Sequence, residues 1–181
     1  MQNPYLEEFQ SRYNGSYFFH ELRDELVKKY AWAVPTEASI EAIAALGPIV
    51  EVGAGTGYWA WLLRQVGATV EAYDVAPGDN HWCKGLYTEV KVGGPEVVEN
   101  HPDHSLLLCW PPYRDPMSEI AVRMYTGSTV IHVGEDRHGC TGNSGFHDLL
   151  EERFECPHES TIDIPTWAGI HDFVQVWRKV R

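Results

Sequence analysis

The chain has 181 residues, 44% of them hydrophobic, with 14 Lys and Arg against 26 Asp and Glu and a formal net charge of −12. That length suits one domain with a full hydrophobic core, and the acidic balance argues against a nucleic-acid-binding surface, which needs clustered cations to neutralise phosphates. No stretch approaches 18 apolar residues and the first four residues carry no basic start before an apolar run, so a cytoplasmic protein without membrane span or secretion signal is expected.

In chain order, residues 16–30 predict a helix with Phe18, Phe19, Leu22, Leu26 and Val27 on one side. Ala31-Trp32-Ala33-Val34-Pro35 breaks it, and Thr36 is placed to N-cap a second helix through Leu46. Residues 1–35 are expected to form an N-terminal helical extension to a domain spanning 36–181. Ile49–Val52 is a short run rich in β-branched residues between Gly47-Pro48 and Gly53, as a buried strand should be. Trp59, Leu62, Leu63 and Val66 then fall at helical spacing, with Gly67 where a C-cap glycine belongs. Residues 69–73 form the next strand, ending at Asp74.

Residues 87–92 alternate and are partly polar, which predicts a third strand near a sheet edge. Buried strands follow at 105–110 and 129–133, separated by a helix at 117–125, and Ser144–Arg153 reads as helix. Residues 162–167 and 173–177 predict two antiparallel strands joined by a turn around Ala168-Gly169. Strands alternating with helices define an α/β fold with a mostly parallel sheet. Cys83, Cys109, Cys140 and Cys156 lack C-x-x-C spacing and are expected to be free thiols. Seven Trp and nine Tyr hint at an aromatic-lined cavity.

The turn after the first strand, Glu51-Val52-Gly53-Ala54-Gly55-Thr56-Gly57, carries the chemistry. Alternate glycines let the backbone turn sharply and let a ligand approach without meeting a Cβ. No lysine and hydroxyl residue close the loop, so a P-loop is excluded. The spacing is G-x-G-x-G where a dinucleotide fingerprint needs G-x-G-x-x-G.

With Glu51 before it and Asp74 after it, this stretch resembles motif I of the class I S-adenosylmethionine-dependent methyltransferases, acidic-x-G-x-G-x-G. The likeness extends from about residue 36 to the end of the chain. It implies a Rossmann-like, seven-stranded, mostly parallel sheet with helices on both faces and a C-terminal antiparallel hairpin. It implies S-adenosyl-L-methionine as cofactor, with Glu51 holding the cationic amino-acid end. Gly53, Ala54, Gly55 and Gly57 would pass under the ligand, Asp74 would accept from both ribose hydroxyls, and Val75 and Trp110 would complete the site. Carboxylates suit a sulfonium ligand, which is cationic and has no phosphates to cradle. Helices before the first strand would fold over the cofactor and shape the acceptor side.

Cys109-Trp110-Pro111-Pro112-Tyr113 is similar to the Asp/Asn-Pro-Pro-Tyr motif of methyltransferases acting on amino groups. Trp110 replaces the acceptor side chain, and indole donates one hydrogen bond and accepts none. Methylation of a nucleobase amine or a glutamine amide is therefore disfavoured, and a small-molecule or protein acceptor is expected. Tyr113 is placed to stack on a substrate. Glu135, at the end of the fifth strand, is the first candidate base or substrate contact, with His138 second. His132 reads as a hydrogen-bonded core residue.

Asp136, His138, Cys140 and His147 match no familiar zinc spacing, so no metal is expected. Gly139 to Gly145 forms a small-residue loop, either mobile over a substrate or an inert connection. Two alternatives stay open: a cofactor-binding module without transferase activity that acts through a partner, and a nicotinamide-dependent oxidoreductase.

Overall fold

A computed structural model describes residues 1–16 and 20–180. Its eight strands are β1 Ile49–Val52, β2 Val70–Asp74, β3 Lys91–Val92, β4 Ser105–Cys109, β5 Thr129–Gly134, β6 Phe154–Glu155, β7 Thr161–Asp163 and β8 Phe173–Lys179. The six α-helices are α1 Pro4–Arg12, α2 His20–Lys29, α3 Glu37–Ala44, α4 Tyr58–Gln65, α5 Met117–Met124 and α6 Ser144–Arg153. The strands join in one sheet, ordered β3-β2-β1-β4-β5-β8-β6, with β7 also on β8. Strands β1 to β5 run parallel, and β8 is antiparallel to β5, β6 and β7.

Strand alternation builds two cores. Ile49, Leu107 and Ile131 turn to the face covered by α1 to α4. Val50, Leu106, Leu108 and Val130 turn to the opposite face, against Ala121, Val122, Phe146 and Leu150 of α5 and α6. A parallel sheet covered on both faces needs such doubly apolar strands. No described helix is long and apolar enough to cross a membrane.

The α/β architecture, the helices on both faces and the antiparallel C-terminal pair are as the sequence indicates. The strands number eight among the described residues, where seven are expected, with Phe154–Glu155 adding a two-residue strand beside the far end of β8. Helix α1 was not signalled by apolar periodicity. Its signature is the cap: Asn3 Oδ1 accepts from Leu6 N at 3.2 Å, and Pro4 occupies the first turn. The helix predicted over residues 16–30 is seen as His20–Lys29, and Phe18 and Phe19 lie outside the described residues. Thr36 caps α3 through a reciprocal box with Ser39.

Three boundaries shift for packing reasons. The expected strand at 87–92 shrinks to Lys91–Val92 because Tyr87 packs its ring on Tyr58 at 4.8 Å and Trp61 at 5.4 Å. Strand β4 stops at Cys109 because Trp110 takes a left-handed φ of 50°. The link between β7 and β8 is longer than a tight turn around Ala168-Gly169. Trp167 leaves the sheet to pack on Phe9 and Tyr13, with ring centroids 4.8 Å away in both cases.

Candidate active site

The parallel order brings the carboxyl ends of β1, β2, β4 and β5 to one edge. The chain steps outward from β1 through β2 to β3, then returns to place β4 on the other side of β1. Open α/β sheets bind ligands in the crevice at such a reversal. Here it holds a cavity of about 740 Å³, lined by Glu51, Gly53, Ala54, Gly55, Asp74, Val75, Trp110 and Tyr113 among others. Gly57 and Glu135 do not line it.

The glycine turn is built around Asp74. Gly53 N and Ala54 N donate to Tyr73 O at 2.9 and 3.0 Å. Asp74 Oδ2 accepts from Gly55 N and Oδ1 from Ala76 N, both at 2.8 Å. The carboxylate thus fixes the turn and the start of the next loop, and each oxygen keeps acceptor capacity for a ligand hydroxyl. Gly53 and Gly55 adopt φ of 77° and 55°, the left-handed region open to glycine. Gly57 has a different role. It starts α4 at φ 70°, where an added Cβ would lie 2.6 Å from Val90 Cγ2, so it serves helix–loop packing.

Glu51 is 2% exposed on the α1–α4 face of β1. Its Oε2 is buried without a hydrogen-bond partner among the described residues. Burial pushes its acid up to about 8, with the Arg64 charge pulling the other way. A buried carboxyl with a free oxygen, lining a cavity, has the electrostatics of a receptor for a cation. Val75, 72% exposed at the rim, offers apolar surface for a flat group to cover.

The opposite side of the cavity is aromatic. Trp110 stacks on Trp32 with centroids 4.9 Å apart and planes at 26°, and Trp32 meets Trp82 edge-on at 5.6 Å. The Arg23 guanidinium lies 5.0 Å from the Trp32 ring and 5.8 Å from Trp110. Trp110 Nε1 donates to Asp172 Oδ1 at 2.8 Å, so the indole before Pro111-Pro112-Tyr113 is turned toward a protein partner. Sequence reasoning did not select Trp32, Trp82 or Asp172. The aromatic count was the signal for the first two, and Asp172 carried none.

Glu135 is placed as a clamp. Its Oε2 accepts from Cys140 N at 2.8 Å and its Oε1 from His171 N at 2.9 Å, tying two loops to the end of β5. The base role expected of it finds no geometry here, and His138 also lies outside the cavity lining. His132 is buried in the core, where burial lowers its pKa to about 3. Its Nε2 lies 3.3 Å from Thr141 Oγ1. Asp136, His138, Cys140 and His147 form no metal-holding group among the described residues.

No protein-family model matches the chain, and no curated protein sequence does. Solved structures do. A magnesium protoporphyrin IX methyltransferase (ChlM) from Synechocystis PCC 6803, solved with bound SAM, superposes with a TM-score of 0.52 at 12% identity, covering 96% of this chain and 91% of that one. A structure solved in work on the conversion of a disulfide bond into a thioacetal group during echinomycin biosynthesis gives 0.51 at 13% identity, over 80% and 82% of the two chains. The PH0226 protein from Pyrococcus horikoshii OT3 gives 0.52 at 10% identity, over 99% and 100%. At these identities the fold is what is shared.

Proposed function

We propose that this chain binds S-adenosyl-L-methionine and transfers its methyl group to a small-molecule or protein acceptor. The observation that carries the reading is Glu51, a buried carboxyl lining the cavity with one oxygen unpartnered among the described residues. A cationic ligand end supplies the missing partner and the compensating charge. In this reading Asp74 takes the ribose hydroxyls with its remaining lone pairs. Gly53, Ala54 and Gly55 give a backbone surface for close approach, and Val75 covers the adenine. The shared fold with a methyltransferase solved with bound SAM supports the same assignment.

When bound, the sulfonium supplies an activated methyl group for in-line displacement. The chain's own task is then to position the acceptor and exclude water. Trp110, held by Asp172 and stacked on Trp32, forms a rigid apolar wall on that side, and Tyr113 faces the acceptor.

Titration calorimetry with S-adenosylmethionine, its demethylated product and NAD tests the reading. Binding of the first two is expected. No heat from either, in protein freed of carried-over ligand, would sink it, and heat from NAD alone would favour the oxidoreductase. Asp74→Ala should weaken binding by about 1.5–3 kcal/mol through lost charge-assisted bonds. Labelled cofactor incubated with a cell extract should yield a methylated product that disappears with Glu51→Ala. Tight binding with no labelled product would point instead to a binding module acting through a partner.

A further inference from the structure

The Tyr113 ring lines a second cavity as well, of about 440 Å³, walled by Arg114, Arg137, Thr141, Asn143 and His147 among others. None of its lining residues is Asp or Glu, in a chain that has 26 of them. The two arginines are not equivalent. Arg137 is committed to Asp148 at 2.7 Å and Glu151 at 2.9 Å. Arg114 enters no ion pair among the described residues, and its guanidinium lies 4.9 Å from the Tyr113 ring centroid.

Arg114 is held in that position by its backbone. It adopts φ of 61°, a left-handed conformation unusual for a side-chain-bearing residue. Two main-chain bonds sustain it: Arg114 N donates to Gly142 O at 3.0 Å, and Gly142 N donates to Pro111 O at 2.8 Å. The start of α6 nearby is already served, since Asn143 Oδ1 accepts from Phe146 N and Asn143 Nδ2 donates to Glu119. The positive charge available to a ligand is therefore that of Arg114. Asp115, the neighbouring carboxylate, caps Met117 N at 2.8 Å. The net charge of −12 repels anions at a distance, but salt screens that field within about 8–10 Å, so contacts with Arg114 and the nearby Asp115 and Glu119 carboxylates weigh more than the overall charge.

We propose that the methyl acceptor is a flat aromatic molecule carrying an oxyanion, a carboxylate or a phosphate ester. Its ring packs beside Tyr113 against the tryptophan wall, and its anion pairs with Arg114. The inference rests on the methyl-transfer reading and adds the substrate class. A ring laid beside Tyr113, which lines both cavities, carries its edge substituent toward the Arg114 guanidinium 4.9 Å from that ring, and Arg is suited to planar oxyanions.

The test measures binding of 2-naphthol, 6-hydroxy-2-naphthoate and 2-naphthyl phosphate to the full chain, with the demethylated cofactor product present. At least one anionic ring should bind about two- to fivefold more tightly than the neutral naphthol, since Arg114 is exposed. The preference should fall as salt rises and vanish in Arg114→Gln, with affinity for the demethylated product unchanged. Arg114→Lys should retain part of it. The stronger of the two anionic probes distinguishes carboxylate from phosphate ester. Equal binding of all three rings, tighter binding of the neutral one, no binding of any, or a preference that survives Arg114→Gln overturns the proposal. Titration of the demethylated product alone reports separately on the cofactor reading, so the two can fail independently.

Discussion

The indole Nε1 of Trp110 donates to Oδ1 of Asp172 across 2.8 Å, joining two residues 62 positions apart in the chain. The bond joins the end of β4 to the loop before β8 and fixes one wall of the cavity. Asp172 is 5% exposed, and its Oδ2 has no hydrogen-bond partner among the described residues. Burial pushes its acid up to about 7; nearby Glu135 adds to the rise, and Arg23 opposes it.

A carboxyl whose folded pKa is raised contributes stability that is fully present below pH 4 and is lost as pH rises toward 7. Asp172→Asn removes that dependence while leaving an oxygen for the indole. It should match the parent near pH 4 and be more stable by about 1–3 kcal/mol at pH 8. Asp172→Ala strands the indole N–H and should cost about 1–3 kcal/mol at pH 5. Urea unfolding of the three proteins at pH 4, 5 and 8 checks both statements.

Glu51 makes the same kind of contribution, over a window that extends to about pH 8. If a cationic group of the ligand seats on it, the bound state holds it ionised, so binding near pH 6.5 must release a proton. Affinity for S-adenosylmethionine should then rise as pH goes from 6 toward 8, by up to about tenfold per unit. Calorimetry in two buffers of different ionisation enthalpy reads the released proton directly. Glu51→Gln should bind weakly with no proton release, and should itself be more stable than the parent at pH 8. A pH-independent affinity in the parent would remove the cation from Glu51.

Much of the glycine-turn side of the cavity was legible because it is local. Ile49–Val52, the glycines, α4 and Asp74 lie within 26 consecutive residues, and apolar periodicity with turn chemistry defines all of them. The aromatic side was legible only in fragments. Trp110 could be seen to break the amine-acceptor pattern, but its partner Asp172 comes from a distant loop with no local signature. Trp167 read as a strand residue because its neighbours are β-branched. In the fold its Nε1 lies 3.3 Å from Tyr5 Oη, a contact spanning 162 residues. Glu135 fell at the right sheet edge for a base, yet strand position does not say which way a carboxylate turns, and its two oxygens serve Cys140 N and His171 N.

That placement makes Glu135 separable from chemistry. As a clamp, Glu135→Gln keeps one good acceptor and should cost about 1–3 kcal/mol of stability. Under the proposed methyl transfer, the rate measured on the acceptor fraction that the parent labels should fall less than about tenfold. A general base would instead give a loss of about a hundredfold or more, with a displaced pH profile. The rate and the unfolding free energy measured on the same preparation tell the two roles apart.

The third glycine of the turn offers the sharpest contrast between motif and geometry. Gly57 sits at φ 70°, and a Cβ there would meet Val90 Cγ2 at 2.6 Å and Thr88 Cγ2 at 3.1 Å. Val90 is buried with little room to retreat. Gly57→Ala therefore carries both a left-handed backbone cost of about 1–2 kcal/mol and an overpacking cost of about 1–3 kcal/mol. At Gly55 the nearest atom to an added Cβ is Cys83 Sγ at 3.5 Å, an ordinary contact, so Gly55→Ala carries mainly the backbone cost. Gly57→Ala should therefore lose more stability than Gly55→Ala, yet keep its affinity for the demethylated cofactor product at temperatures where it is folded. Gly55→Ala should lose affinity, because Gly55 lines the cavity and Gly57 does not. Adding Val90→Ala to Gly57→Ala relieves the overlap, and the two substitutions should couple favourably by about 1 kcal/mol or more in urea unfolding. Strict additivity would mean that Gly57 is required for its backbone angle alone.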